Sequence, residues 1–354
     1  MSSKYDIGLF GLWNQCNYGS IITYYALYRT LEKMGKTVLM IDRPNGNTAE
    51  TNTHAKKFAA ENYKCITMPV NNADLHRLNQ CCDVFMTGSD QLWNYSVAKN
   101  YGKLFYLDFV ADFKKKISYA TSFGHEIDFA PESQRKLLQG YFKRFDKISV
   151  REDNGVDILK NIYGITAEQV IDPVFLCDKK VYDDLANKSK VKLPKEKYIL
   201  SCLIDPTEDK KVSINTLSNV MDEMKTINLL DGFYWMSDKN AEKIGIEREK
   251  DVETADWINY IKNAEIIITD SYHTMCLAMI FKKNFVALPN KFRGYSRFDS
   301  IGRLFDITGK FAYEAEDMLR NPEIMLEPDY NKISSKISSE QKRCINWLST
   351  SVKS

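Results

Sequence analysis

The chain has 354 residues, more than one hydrophobic core usually serves, so two domains of roughly 100–200 residues each are expected. Its formal net charge of +2 argues against a nucleic-acid binder that works by broad phosphate neutralisation, and points to small or neutral partners. Hydrophobic residues at 44% and charged residues at 27% are ordinary for a globular protein and give no reason to invoke disorder.

Strand-like and helix-like stretches alternate along the chain. Residues 5–12 (YDIGLFGL) read as a strand, 21–34 as a helix and 37–42 (TVLMID) as a second strand. Residues 83–87 (DVFMT), 117–122 (ISYATS) and 147–150 (KISV) continue the series, with a helical period at 131–145. After 169–172 (QVID) and Pro173 comes a polar, lysine-rich stretch, 178–197, where the domain boundary is expected. The second half repeats the pattern, with strands at 197–204, 233–236, 265–269 and 285–288 and helices at 210–227, 254–262 and 274–281. Residues 332–351 place Ile333, Ile337, Ile345 and Leu348 at helical spacing and are expected to pack back on the first domain. The fold class is α/β: two doubly wound, Rossmann-like domains, 1–177 and 178–330, facing a cleft, with a terminal helix in 331–354.

The eight cysteines form no CxxC pair and the four histidines lie far apart, so no zinc-site spacing is present. MSSKYDIGLF does not read as a secretory leader, and no apolar run approaches the ~18 residues a membrane span needs. A cytoplasmic chain with reduced, packing cysteines is expected.

In such a fold, ligands bind where strands end and helices begin, because free N–H groups and the positive helix end face the crevice. The most informative junction is 266–273 (IIITDSYH), where His273 stands within reach of a bound anion. Arg293 and Arg297 follow, with guanidinium groups suited to carboxylate or phosphate. Arg151, ending the strand 147–150, either points into the crevice or pairs with Glu152 on a solvated face.

The first junction, 11–20 (GLWNQCNYGS), lacks both GxGxxG and GxxxxGK[ST], so a dinucleotide or P-loop nucleotide is unsupported. Gly19 permits close approach of a ligand or, with Asn17, only shapes a tight turn, and Ser20 suits a helix cap. Residues 87–94 (TGSDQLWN) suit a sugar: Asp90 accepts a hydroxyl proton and Trp93 covers the ring. The alternative is that Ser89 or Asp90 caps the next helix and Trp93 belongs to the core.

Seven segments occur in order: NYGS at 17–20, TGSDQLWN at 87–94, SYATSFG at 118–124, SVRE at 149–152, VIDPVFL at 170–176, ITDSYHT at 268–274 and RGYSRF at 293–298. On these the chain resembles the polysaccharide pyruvyl transferases over roughly residues 5–305, TGSDQLWN and TDSYH being the most specific parts. The resemblance implies a GT-B-like fold, phosphoenolpyruvate as donor with no separate cofactor or metal, and a pair of sugar hydroxyls as acceptor. The product is a cyclic pyruvate ketal on a hexose of a bacterial surface polysaccharide precursor, with phosphate released. It puts donor binding on Arg151 and on Arg293 or Arg297 and the family's histidine on His273, which binds the donor phosphate or protonates the substrate; Ser271, two residues before it, is expected at the donor site. Asn17, Gly19, Ser20 and Trp93 fall on the acceptor side. Many relatives carry an Asp where this chain has Ser20, so the acceptor base is unassigned and Asp90 is the substitute candidate. A lipid-linked acceptor would bring the protein to the inner membrane surface, where Lys114, Lys115 and Lys116 are either a basic patch or ordinary solvated lysines. A nucleotide-sugar glycosyltransferase and a non-catalytic glycan-binding protein are the alternative readings.

Overall fold

The computed structural model describes residues 4–14, 17–42, 53–71, 73–231 and 234–353. Among these, a six-stranded sheet takes β1 (Tyr5–Phe10), β2 (Val38–Ile41), β3 (Cys82–Thr87), β4 (Lys115–Thr121), β5 (Lys147–Val150) and β6 (Glu168–Gln169) in the order β2-β1-β3-β4-β5-β6. A four-stranded sheet takes β7 (Ile199–Leu203), β8 (Thr226–Leu230), β9 (Ile266–Thr269) and β10 (Asn284–Ala287) in the order β10-β9-β7-β8. All neighbouring strands are parallel, with Phe10 opposite Thr87 and Cys202 opposite Thr269 at the ends that matter below. Parallel sheets are covered on both faces, which is why β2 and β9 are uninterrupted buried runs, VLMI and IIIT.

Strand order reverses between β1 and β3 in one sheet and between β7 and β9 in the other. The chain leaves such neighbours toward opposite faces, so a crevice opens at their carboxyl ends. The two crevices face each other because the lobes share a core. The helix Tyr18–Lys33, buried nearly throughout, lies between the first sheet and the second lobe. Tyr18 stacks on Trp257, with centroids 5.4 Å apart, and the apolar cluster runs from Ile7 and Leu9 to Ile267 and Leu277. A helix buried on nearly all sides belongs in such a position, between two packed layers.

The helix Tyr330–Ser351 begins on the second lobe, where Tyr330 donates to the carbonyl of Lys283. It ends against the first: Trp347 meets Tyr119 with centroids 6.0 Å apart, and Gln341 Nε2 donates to the Phe175 carbonyl at 2.9 Å. Among the described residues no helix is long and apolar enough to cross a membrane. Each described cysteine is a free thiol, and Cys16 lies outside the described residues.

Several local expectations are corrected. The helix expected at 210–227 is Glu208–Val220, because Asp222 and Glu223 take φ of 54° and 58° and turn the chain into β8. The strand expected at 233–236 is displaced: Phe233 lies outside the described residues, and the helix Tyr234–Lys243 follows. The polar stretch 178–197 contains the helix Lys179–Ala186, which buries Tyr182 and Leu185. Lys116 is neither solvated nor part of a basic patch; 1% exposed within β4, its Nζ donates to the carbonyls of Ala111 and Lys114 at 2.7 and 3.0 Å.

Candidate active site

A cavity of about 420 Å³ opens between the lobes. The four strand ends at the two reversals all contribute to it: Leu12, Asn17 and Ser20 after β1, Asp90 and Gln91 after β3, Ile204 after β7, Tyr272 and His273 after β9. Arg293, Arg297, Tyr101, His125, Phe129 and Phe292 also stand in the wall. Two helix starts meet here. Asn17 Oδ1 accepts the Ser20 N–H at 2.9 Å, so Asn17 and not Ser20 caps Tyr18–Lys33, and Ser271 caps Tyr272–Phe281. Between them lies buried Asp231, accepting the Tyr18 N–H at 2.9 Å and the Ser271 hydroxyl at 2.7 Å. Burial pushes the Asp231 carboxyl up, with Ser271 and His273 acting against it.

His273 sits in the first turn of its helix, yet its ring is held from the other lobe. Nε2 lies 3.3 Å from Asp172 Oδ2. The same oxygen accepts Arg151 Nη1 at 2.7 Å and the Ser89 hydroxyl at 3.1 Å, while Oδ1 accepts the Thr23 hydroxyl at 2.8 Å and the Val174 N–H at 3.0 Å. Burial alone would raise the Asp172 carboxyl; His273 and Arg151 outweigh it and hold the group well below the usual range. Asp270, three residues before His273 in sequence, is taken by Lys210 and by the N–H groups of Ile204 and Asp205.

The arginines occupy different situations. Arg151 is buried behind the cavity wall, with Nε 3.2 Å from Glu152 Oε1 and the guanidinium 4.6 Å over the Tyr272 ring. Arg293 forks onto Asp205, with Nη2 2.8 Å from Oδ1. Burial works against the Arg293 charge, but Asp205 more than compensates and the pKa is raised. Among the described residues no carboxylate pairs with Arg297: 7% exposed, it donates through Nη2 to the Arg293 carbonyl at 3.1 Å, and its Nε has no partner there. Burial, reinforced by Arg151, lowers its pKa to about 10. The segment is fixed from the first lobe, where Glu126 Oε1 accepts the N–H groups of Tyr295 and Ser296 at 2.6 and 2.8 Å. Gly294, at φ +78°, allows the approach, since a Cβ there would stand 2.3 Å from the Gly124 carbonyl oxygen.

Across the cavity, Ser20 Oγ donates to Asp90 Oδ2 at 2.6 Å, and Oδ1 accepts the Gln91 N–H at 2.8 Å. Asp90 has φ +97°, a costly conformation for a residue with a side chain and one that surrounding structure must impose. A carboxylate is thereby fixed beside a hydroxyl that already bonds to it.

The model of the family described as polysaccharide pyruvyl transferase matches residues 17–291. The chain belongs to the polysaccharide pyruvyl transferase family. A search of curated proteins finds no match to the sequence. Solved structures similar to it include the UDP-GlcNAc 2-epimerase of Neisseria meningitidis, with TM-score 0.56 and 10% identity over 97% of this chain and 98% of that one. The UDP-GlcNAc 2-epimerase of Methanocaldococcus jannaschii has TM-score 0.55 and 15% identity, with 97% and 99% covered. A glycosyltransferase of Rickettsia africae has TM-score 0.52 and 14% identity, with 99% and 94% covered. At these identities the likeness is one of fold: two Rossmann-like lobes in the GT-B manner.

In this member of the family, His273, Arg293, Arg297, Asn17, Ser20 and Asp90 come together on one cavity. Four expected residues do not line it. Trp93 is 1% exposed, packed edge-on against Phe142 at 4.9 Å with Nε1 donating to the Phe105 carbonyl, so it is core and covers no sugar. The helix that follows is capped by Asn94, not by Ser89 or Asp90. Ser271 spends its hydroxyl on the cap and on Asp231, which removes it from direct donor contact. Arg151 acts from behind His273. Gly19 meets the imidazole instead of a ligand: a Cβ there would stand 2.2 Å from His273 Nδ1. Sequence reasoning missed Asp172, Asp231 and Phe292. Asp172 had a signal, a carboxylate ending the QVI run of a strand, but nothing in the sequence points to Phe292.

Proposed function

We propose that the protein moves the enolpyruvyl group of phosphoenolpyruvate onto two hydroxyls of a hexose in a surface-polysaccharide precursor, forming a cyclic pyruvate ketal and releasing phosphate. The observation that carries this reading is Arg297, a buried guanidinium with an unpartnered Nε and a lowered pKa in the wall that also holds His273. An uncompensated buried cation is costly, and an anion seated beside it offsets the cost. Phosphoenolpyruvate supplies two anionic groups. Arg297, Arg293 at the same wall, Arg151 behind His273 and the helix end at Ser271 supply the matching positive potential.

In this reading His273 protonates C3 of the enol, and C2 develops oxocarbenium character. A sugar hydroxyl attacks C2 and loses its proton to Asp90, whose carboxylate Ser20 orients. The bond from C2 to the phosphate oxygen breaks, and the second hydroxyl closes the ring on C2, its proton passing to the departing phosphate. No resident cofactor enters the scheme. The apolar faces offered to the sugar are Tyr101, Phe129 and Phe292, the last 92% exposed at the cavity wall. The acceptor is read as a lipid-linked saccharide met from the cytoplasm.

Calorimetric titration with phosphoenolpyruvate, set against uridine and guanosine diphosphate sugars, tests the donor. Phosphoenolpyruvate binding, followed by donor-dependent phosphate release with lipid-linked sugars, is the expected result. Tight binding of a nucleotide sugar and none of phosphoenolpyruvate would replace this reading with glycosyl transfer.

A further inference from the structure

We infer that Asp172, on the first lobe, is the positioning residue for His273 on the second: it accepts the Nε2–H of the imidazole, fixes the ring, and leaves Nδ1 as the nitrogen that meets the substrate. The inference deepens the pyruvyl-transfer reading and rests on it for its kinetic arm only.

Both side chains are buried, and Oδ2 and Nε2 are 3.3 Å apart. The carboxylate cannot turn away easily, since it also accepts Thr23, Val174, Ser89 and Arg151. On the other side the ring is pressed on Gly19, whose missing side chain makes room for Nδ1. The hydrogen bond made by one ring nitrogen decides the state of the other. With Nε2–H committed to Asp172, Nδ1 is the acceptor in the neutral ring and the free proton donor in the cation.

A rival arrangement has Arg151 Nη1 donating to Nε2, which would move the ring proton to Nδ1. Distance and charge disfavour it: Nε2 is 3.3 Å from the Asp172 carboxylate oxygen and 3.5 Å from Nη1, which donates to that oxygen at 2.7 Å. Asp231 also faces the ring, and it is engaged by Tyr18 and Ser271. Because carboxylate and imidazole belong to different lobes, the orientation exists only while the lobes are packed as described above.

The test is the ¹⁵N spectrum of histidine-labelled full-length protein, with His273→Gln assigning the resonance, taken without substrate at alkaline pH. His273 is expected as the Nε2–H tautomer; the Nδ1–H tautomer overturns the inference. In Asp172→Asn, shown to be folded by near-UV circular dichroism, the Nε2–H population is expected to fall. Its kcat should drop about 10²–10⁴-fold, the scale of a misplaced general acid, while KM for phosphoenolpyruvate stays within about threefold. A folded variant that keeps the wild-type tautomer overturns the inference whatever its rate. If the variant does not fold, the wild-type spectrum decides. No spectrum here depends on the donor, so its outcome is separate from that of the binding titration.

Discussion

At the scale of residues, Arg297 and Asp172 are opposite cases of a buried charge. The protein's own groups do little to compensate Arg297, and burial pulls its pKa down to about 10. Replacing it by Met removes a cost to the fold and the main attraction for an anion together. Arg297→Met is therefore expected to keep or raise the thermal midpoint in buffer while phosphoenolpyruvate affinity falls about 10²-fold, as loss of a charge-assisted contact implies. Scanning calorimetry and titration calorimetry read the two halves, and a variant with lower stability and unchanged affinity would assign Arg297 a packing role. Asp172 is fully paired. Burial tends to raise its carboxyl, but His273 and Arg151 hold it low. A depressed folded-state pKa contributes stability above the unfolded value of about 4, and that stability is lost as pH falls further. The urea midpoint should decline below about pH 4, and Asp172→Asn should flatten that acid limb while being less stable at neutral pH.

At the scale of elements, the site is built from helix starts placed by parallel strands. Gly19 is the second residue of Tyr18–Lys33 and is not at positive φ, so its backbone would accept alanine. If Gly19 only shaped a turn, alanine would be neutral or favour the helix by up to about 1 kcal/mol. The structure implies another outcome, because the new Cβ would fall 2.2 Å from His273 Nδ1. Gly19→Ala is expected to leave circular dichroism and melting close to wild type and to reduce kcat about 10²-fold or more, as for a displaced general acid. Wild-type turnover in that variant would mean the ring is free to move. The segment with Arg293 and Arg297 is likewise set by another element, since Glu126 of the first lobe closes its N–H groups.

At the scale of the whole molecule, residues of both lobes make one site, and the last helix ties the lobes together. Trp347 and Leu348 are buried against the first lobe while Tyr330 is anchored on the second. Trp347→Ala should cost about 3–5 kcal/mol, the range for truncating a large buried aromatic. Beyond stability, it should loosen the register of the lobes, so phosphoenolpyruvate affinity is expected to fall at temperatures where the variant is still folded. Chemical denaturation and titration at one low temperature check both, and an unchanged affinity would mean the lobes keep their register without that contact.

The alternation of IIIT-like runs with helical periods was enough to read two doubly wound lobes, because burial on both faces of a parallel sheet leaves a continuous apolar signature. The junction chemistry was only partly local: His273 at a helix start was visible from the polar residues that follow the IIIT strand, but the cap of Tyr18–Lys33 is Asn17 and not Ser20, since both belong to one polar turn and only the backbone path decides which accepts the N–H. Partnership was not local. Asp270 is three residues before His273 in the chain, yet the carboxylate that holds the ring is Asp172, from the other lobe. Trp93 and Phe292 are both aromatic residues in polar loops, and only packing put the first in the core and the second at the cavity wall. Residue type and spacing determine which segments bury and which turn; which buried charge meets which is decided when two lobes far apart in sequence close on each other.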